Sequence, residues 1–358
     1  MKEKRLDNNT KLFKSSGSNN YDLDVTIQSI MKGSQKKYSI VSAPYRISLG
    51  GGGTDLPFYA SKKEGFLISA SIDEYITVLI ARRSLDKDLF LQYTETERVN
   101  KLDDINHNLF REVLRYFKIR DSFQVATFSS MPTFTGLGSS STLIVAFVKA
   151  FYNLNNIEKS SIEIAQEAFH IEREVMGWAG GFQDQYISAL GGIQIIKISK
   201  DLQVETEPII LKEEVLKKFQ DSLYLVYSGV ERSSADIIKA QETESDIINA
   251  YDQIKSIGET SVGYIREGNI NALGKAMDEH WRIKKKMAKV MSNSEIDEMY
   301  ITLKSYGSIG GKIIGAGGGG FFLMVVTDNK EAFKRKATDN NFKFVNFEIE
   351  FKGAHTIS

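Results

Sequence analysis

The stretch MPTFTGLGSSSTLIVAFVKAFYNL, residues 131–154, decides how the rest of the chain is read. A proline turn leads into a loop of small residues, and the loop runs straight into an apolar segment whose one charged side chain is Lys149. The first amides of a helix have no partner inside it and lie at the positive end of its dipole, so such a join is a binding place for an anion. A Walker A loop would carry Lys-Ser/Thr after its last glycine; here Gly138 is followed by Ser139, Ser140 and Ser141. A phosphate held here is met by backbone, with positive charge brought from elsewhere. Because the segment is apolar on nearly every face, it predicts a helix buried at the centre of a domain.

At 358 residues the chain exceeds the size at which single cores stop growing, which favours two domains. Its 46 basic and 46 acidic side chains cancel, so no global field draws it to nucleic acid or to an anionic membrane. Cysteine is absent, which removes disulfides, thiolate metal sites and cysteine nucleophiles and agrees with a reducing cytoplasm. No apolar run is long enough for a membrane span and the start lacks a signal-peptide core, so the expectation is a cytoplasmic protein.

Residues 1–36 are rich in Ser, Asn and Lys and predict a flexible extension. From Tyr38 onward YSIVSAPYRISL, FLISASIDEYITVLIARR and LFLQY read as strands, followed by a helix from Asp103 to about Lys118 and the strand SFQVATFSS. Ser160 and Glu163 form a capping box, and Ala165, Ala168, Ile171 and Val175 are spaced to face the core of the helix it opens, with Glu172 on the flank. Helices are expected near 233–256, 271–289 and 294–305, and a domain boundary near residue 210.

Four motifs carry the chemistry. GAGGGG, residues 315–320, matches G-x-G-x-x-G but precedes the strand-like FFLMVV rather than a helix, so it reads as a hairpin loop that approaches either a ligand or other backbone closely. In GGGGTD, residues 50–55, the alternatives are a surface turn and a polyol site in which Asp55 accepts from sugar hydroxyls. Asp184, in a glycine-flanked turn, is either a turn residue or a base. In the helix containing HWRIKKKMAKV the residues Ala276, His280, Ile283, Met287 and Val290 share a face; Arg282, Lys285, Lys286 and Lys289 point mostly to solvent, and Lys284 is the inward cation unless the cluster is only a solvated basic face. The four histidines lack zinc-like spacing and read as structural or surface residues.

Taken in order, APYRISLGGGGTD, PTFTGLGSSS, the ER of residues 172–173, DQY and the late GAGGGG resemble the GHMP kinases, the galacto-, homoserine, mevalonate and phosphomevalonate kinases, from about residue 38 onward. The resemblance implies a two-domain α+β fold. An N-terminal α/β domain with a mixed sheet would occupy residues 37–210, and a C-terminal ferredoxin-like α/β sandwich residues 211–358. It implies ATP wrapped by Pro132, Thr135, Gly136, Leu137, Gly138, Ser139, Ser140, Ser141 and Thr142, with Mg²⁺ on the Ser140 hydroxyl and the Glu172 carboxylate. One residue more separates Glu172 from Asp184 than in the mevalonate kinase pattern, so Glu174 is the alternative ligand. Asp184 matches the base that takes the proton of the attacking hydroxyl, and Arg46 the arginine that stabilises it.

The all-glycine GGGGTD, where galactokinases have side chains, resembles the branch of D-glycero-D-manno-heptose 7-phosphate kinases, as does DEHWRIKKKM. These phosphorylate the anomeric hydroxyl to give a 1,7-bisphosphate for nucleotide-heptose and surface polysaccharide synthesis. On that resemblance the sugar lies by Gly52, Gly53, Thr54, Asp55, Lys284, Gly317 and Gly318. The partners are ATP and a small sugar phosphate, with no nucleic acid or membrane, and a homodimer is one option for assembly. Fucose-type or other neutral-sugar kinases, an isoprenoid-pathway kinase and a non-catalytic sugar sensor on the same scaffold are the other readings.

Overall fold

The computed structural model describes residues 36–133, 135–230, 237–238, 246–288 and 291–357. In chain order the first part contains β1 (Tyr38–Gly50), α1 (Pro57–Lys63), β2 (Gly65–Arg82), β3 (Leu89–Gln92), β4 (Thr96–Val99), α2 (Asn108–Tyr116), β5 (Phe123–Ser129), α3 (Ser139–Leu154), α4 (Ser161–His170) and α5 (Gln183–Leu190). Then come β6 (Ile193–Ile198), β7 (Val204–Pro208), α6 (Glu213–Gln220), β8 (Leu223–Tyr227), α7 (Ile247–Arg266), α8 (Ile270–Met287) and α9 (Ser294–Ser305). The last elements are β9 (Gly310–Ile313), β10 (Phe321–Val325), α10 (Lys330–Asp339), β11 (Lys343–Val345) and β12 (His355–Thr356). The expected extension over residues 1–36 falls, but for Lys36, outside the described residues, as does most of the stretch between 231 and 245.

Two sheets organise the chain. In the first, β2 is long enough to serve two neighbours on one side: residues 65–70 pair with β6 and residues 76–82 with β5, while β1 runs antiparallel along its other edge. Parallel pairing of β3 with β5 makes this sheet mixed. The second sheet is antiparallel, in the order β11-β8-β10-β9. Helix α3 packs across β1 and β2 with Ile144, Val145, Phe147 and Val148 fully buried, as its all-round apolar character requires. The second sheet packs Ile313, Phe322 and Met324 with Trp281 of α8 and Ile296 and Leu303 of α9.

The chain leaves the first sheet after β7 but comes back at its end, a return that the expected 211–358 domain does not contain. β12 pairs with β1, Ile349 bridges Ile72, Gly192 N donates to Glu350 O and Ala354 N donates to Ser188 O. Residues 349–357 thus strap the far end of α5 onto the sheet. No helix among the described residues is long and apolar enough to cross a membrane.

Three local expectations change. The helix expected from Asp103 begins at Asn108, because the Glu97 carboxylate takes the amides of Asn106 (2.6 Å) and His107 (3.1 Å) away from helical bonding. Val175, expected in the core, is exposed. A π-helical turn over Ile171–Val175 follows α4 and shifts the phase of the apolar stripe, while Glu172 is turned inward. Finally, the helix expected near 233–256 continues to Arg266 through Gly258. A side chain there would meet Gly51 N at 2.8 Å, so the glycine permits close backbone approach.

Candidate active site

The loop of residues 132–138, the candidate phosphate loop, is built from behind by its buried members and by the first residues of α3. Thr135 Oγ1 donates to Pro132 O at 3.1 Å, Leu137 O accepts from Arg46 N at 3.4 Å, Ser141 bonds Glu172, and Thr142 Oγ1 meets Ser188 Oγ of α5 at 2.9 Å. Their side chains hold the loop rather than face a ligand. Gly136 and Gly138 have φ of +78° and +83°, left-handed values that favour glycine, and Gly138 caps α3. Ser139, Ser140 and Ser141 open a helix of 16 residues, so their amides lack intrahelical acceptors. The Ser139 hydroxyl is buried at the start of this helix, beside the Tyr45 hydroxyl.

Asp184 lies in the first turn of α5, not in the turn that its glycine neighbours suggested. The cause is Asp55, whose Oδ2 accepts from Gln183 N at 3.0 Å and Oδ1 from Gly53 N at 3.1 Å, so that its carboxylate caps the helix. A Cβ on Gly181 would come within 1.9 Å of Asp55 Oδ2, which is why that position is bare. Burial pushes the Asp55 carboxyl above its usual range, the Gln183 amide opposes this and the nearby Asp184 adds to it.

Arg46, buried on β1, grips Asp184 with both arms of its fork: Nε to Oδ1 at 2.8 Å and Nη2 to Oδ2 at 3.0 Å. Its Nη1 donates to Gly136 O. One guanidinium thereby joins the carboxylate to the phosphate loop, and a Cβ on Gly138 would lie 2.9 Å from Asp184 Oδ2. The Asp184 carboxylate and the loop that opens α3 stand in contact.

Glu172 faces the start of α3 from the π-helical turn. Its carboxylate accepts from Ser140 Oγ (3.2 Å), Ser141 Oγ (2.7 Å) and Gln185 Nε2 (2.6 Å). All three donors are neutral, and burial pushes its carboxyl up despite them. Gln185 Oε1 is buried beside it with no partner among the described residues. A hydroxyl, a buried carboxylate without a cationic partner among the described residues and an orphan amide oxygen form an oxygen donor set that fits a hard divalent cation. Glu174, the alternative, instead pairs with His170 at 2.7 Å on the surface.

The sugar-side expectations divide. Lys284 points inward as expected: it is 3% exposed, donates to Gly315 O at 2.7 Å, and is brought down to about 8 by burial, with Asp55 opposing the shift and Arg46 adding to it. Thr54 is otherwise engaged, because its hydroxyl donates to Gly51 O and Phe66 O and accepts from Phe66 N. The glycines mostly answer to protein neighbours. A Cβ on Gly52 would meet Ser48 Oγ at 2.7 Å, on Gly53 Tyr251 at 2.5 Å and on Gly317 Met291 at 2.6 Å, while Gly318 N donates to Met291 O. The hairpin loop lies back to back with the phosphate loop, since a Cβ on Gly315 would meet Gly136 O at 2.7 Å and on Gly320 Thr135 O at 2.2 Å.

Sequence reasoning missed two residues. Gln185 stands within DQY, where the motif singles out its neighbour Asp184. Lys312 is fully buried on β9, and the signal was present: one charge in the otherwise apolar and glycine run GGKIIG.

A family model described as the GHMP kinases N terminal domain matches residues 107–192, and one described as GHMP kinases C terminal matches residues 261–343. The chain is 30% identical over 303 residues to the D-glycero-alpha-D-manno-heptose 7-phosphate kinase of Campylobacter jejuni, covering 80% of this chain and 89% of that one. It is 22% identical to the bifunctional fucokinase/GDP-fucose pyrophosphorylase of Arabidopsis thaliana, across 83% of this chain and 31% of that longer protein. The crystal structure of a D-glycero-D-manno-heptose 1-phosphate kinase from Bacteroides thetaiotaomicron shares the fold, with a TM-score of 0.74, 23% identity and coverage of 89% of this chain and 98% of that one.

Proposed function

The chain belongs to the GHMP kinase family and is a phosphotransferase with an alcohol acceptor, and from that premise we propose that it transfers the γ-phosphoryl group of ATP to the anomeric hydroxyl of D-glycero-D-manno-heptose 7-phosphate, giving the 1,7-bisphosphate. The observation that carries the reading is the contact between Asp184, forked by Arg46, and the left-handed glycine that opens α3. Asp184 takes the proton of the sugar hydroxyl as that oxygen bonds to the γ-phosphorus and the bond from the γ-phosphorus to the bridging oxygen breaks, releasing ADP. Arg46 orients the carboxylate and offsets the charge that develops on the transferred group. The amides of residues 139–141 hold the phosphate chain by backbone and dipole.

Ser140 and Glu172 would hold Mg²⁺, with Gln185 fixing the carboxylate by its amide hydrogen. Bound there, the ion supplies positive charge that a loop without lysine lacks. Gln183 and Asp55 set the helix that aims the base, which is a positioning role for Asp55. The heptose assignment draws on the Campylobacter relative and on Lys284, a buried cation at the site. A cytoplasmic location fits a substrate of this kind.

The test is turnover with Mg²⁺ and ATP across mannose, L-fucose, D-glycero-D-manno-heptose and its 7-phosphate. A kcat/KM at least tenfold higher for the heptose 7-phosphate is expected. Equal rates for heptose and heptose 7-phosphate would move the assignment to a neutral-sugar kinase, and no transfer to any sugar would leave the sensor.

A further inference from the structure

Lys312 is a buried charge that the steps above do not use. It stands on β9, next to the core residue Ile313, at 1% exposure, and no hydrogen bond or ion pair of its ammonium is found among the described residues. Lysine is almost never fully buried unless paired, because its desolvation is repaid only by a nearby anion. The charges that bear on it are Lys284 and Arg46, both cations, and burial together with these drives its ammonium well below the usual range. Arg46 is already matched by Asp184, and Lys284 has Asp55 within electrostatic reach.

His280 adds a second orphan. It lies four residues before Lys284, hence on the same face of α8, and is 1% exposed with neither ring nitrogen partnered among the described residues. Burial, then Lys312 and Lys284, hold it neutral, so it offers one N–H without adding charge. Lys284 is anchored on Gly315 O, the unused His280 imidazole lies one turn back on the same helix, and β9, which carries Lys312, packs against that helix. Among the described residues this donor set has one nearby anion, Asp55, which faces Lys284 and leaves Lys312 unmatched.

We propose that Lys312, His280 and Lys284 form a buried receptor for a phosphoryl dianion, an inference that rests on the kinase reading and assigns Lys312 and His280 to the site. Such a dianion has two sources: the phosphate already carried by the sugar, or the γ-phosphoryl group of ATP.

Lys312→Met tests it, with binding followed by calorimetry in the absence of turnover and by thermal melting. The probes are heptose 7-phosphate against heptose, and ATP against ADP. Removing an uncompensated buried cation leaves the unliganded melting temperature unchanged or raised, and weakens one phosphoryl ligand at least tenfold. A loss for heptose 7-phosphate but not heptose assigns the receptor to the sugar phosphate; a loss for ATP but not ADP assigns it to the transferred group. Unaltered binding of all four probes, or a uniform loss together with a lower melting temperature, overturns the proposal. Should Lys312→Met fail to fold, His280→Leu is put through the same four probes with the same outcomes. A wild-type protein that binds heptose and heptose 7-phosphate alike would sink the heptose phosphate reading, while the ATP and ADP arm would still decide whether the receptor exists.

Discussion

Gly138→Ala probes the placement of the base most directly. The φ of +83° puts alanine in the left-handed region at a cost of about 1–2 kcal/mol, a drop of roughly 1–3 °C in Tm for a chain of this length. The new methyl carbon would lie 2.9 Å from Asp184 Oδ2, 3.1 Å from Cγ and 3.3 Å from Cβ. Ordinary contact starts near 3.4 Å, so the carboxylate has to move by about 0.5 Å. Two guanidinium bonds at 2.8 and 3.0 Å oppose an easy rotation away. A misplacement of about 1 Å costs on the order of 10²-fold in rate, so half of that predicts about a tenfold lower kcat. Asp184→Ala sets the limit, at about 10²- to 10⁴-fold below wild type with ATP still bound. Gly177→Ala is the control, because its φ of +66° brings the same strain with nothing within 4 Å of the added carbon. Steady-state kinetics and melting curves on both variants separate the effects. Equal kcat for the two alanine variants would refute the claim that the loop glycine makes room for the base.

Glu172→Gln removes a carboxylate that burial holds above its usual range, so the unliganded Tm at pH 7 should stay level or rise, while the stabilisation given by Mg²⁺ with ATP falls away; full retention of that stabilisation would remove Glu172 from the cation site. The sign follows from linkage: a carboxyl raised on folding weakens the fold while it is ionised, and this penalty is relieved as the pH falls through its folded value. Lys284 works the other way. Lowered to about 8, it sheds its proton before the unfolded chain does, so its unfavourable contribution at neutral pH is relieved between about pH 8 and 10.5. The KM for the sugar phosphate should therefore rise above about pH 8 in the wild type, and Lys284→Met should have a high KM with no such rise; parallel profiles for the two would take the ammonium out of substrate binding.

The buried helix after Gly138, the long strand of residues 65–82 and the late hairpin were legible because each is set by its own residues: continuous apolarity, β-branched alternation and glycine between strands. The pairing of Arg46 with Asp184 crosses 138 positions and was available only through the family resemblance. What local pattern missed is what tertiary contact decides. Glu97 steals two amides from a helix start, Asp55 converts the loop at Asp184 into a capped helix, and a π-helical turn swings Glu172 inward while turning Val175 out. The glycine blocks were read toward ligands, yet most of their bare backbone is demanded by Tyr251, Met291 and the neighbouring loop. Periodicity gives the face of Lys284 but says nothing of Lys312, whose strand is too short to show a phase.

The strap formed by residues 349–357 bears on how the kinase comes into being. The helix carrying Asp184 is fastened at its front by Asp55, made early, and at its back by Ala354 and its neighbours, which leave the ribosome after every other element described here. A chain without residues 349–357 keeps the loop that opens α3 while the helix bearing Asp184 is loose at one end. A fragment cut near residue 210 would therefore lack the rear tether of the helix that bears Asp184.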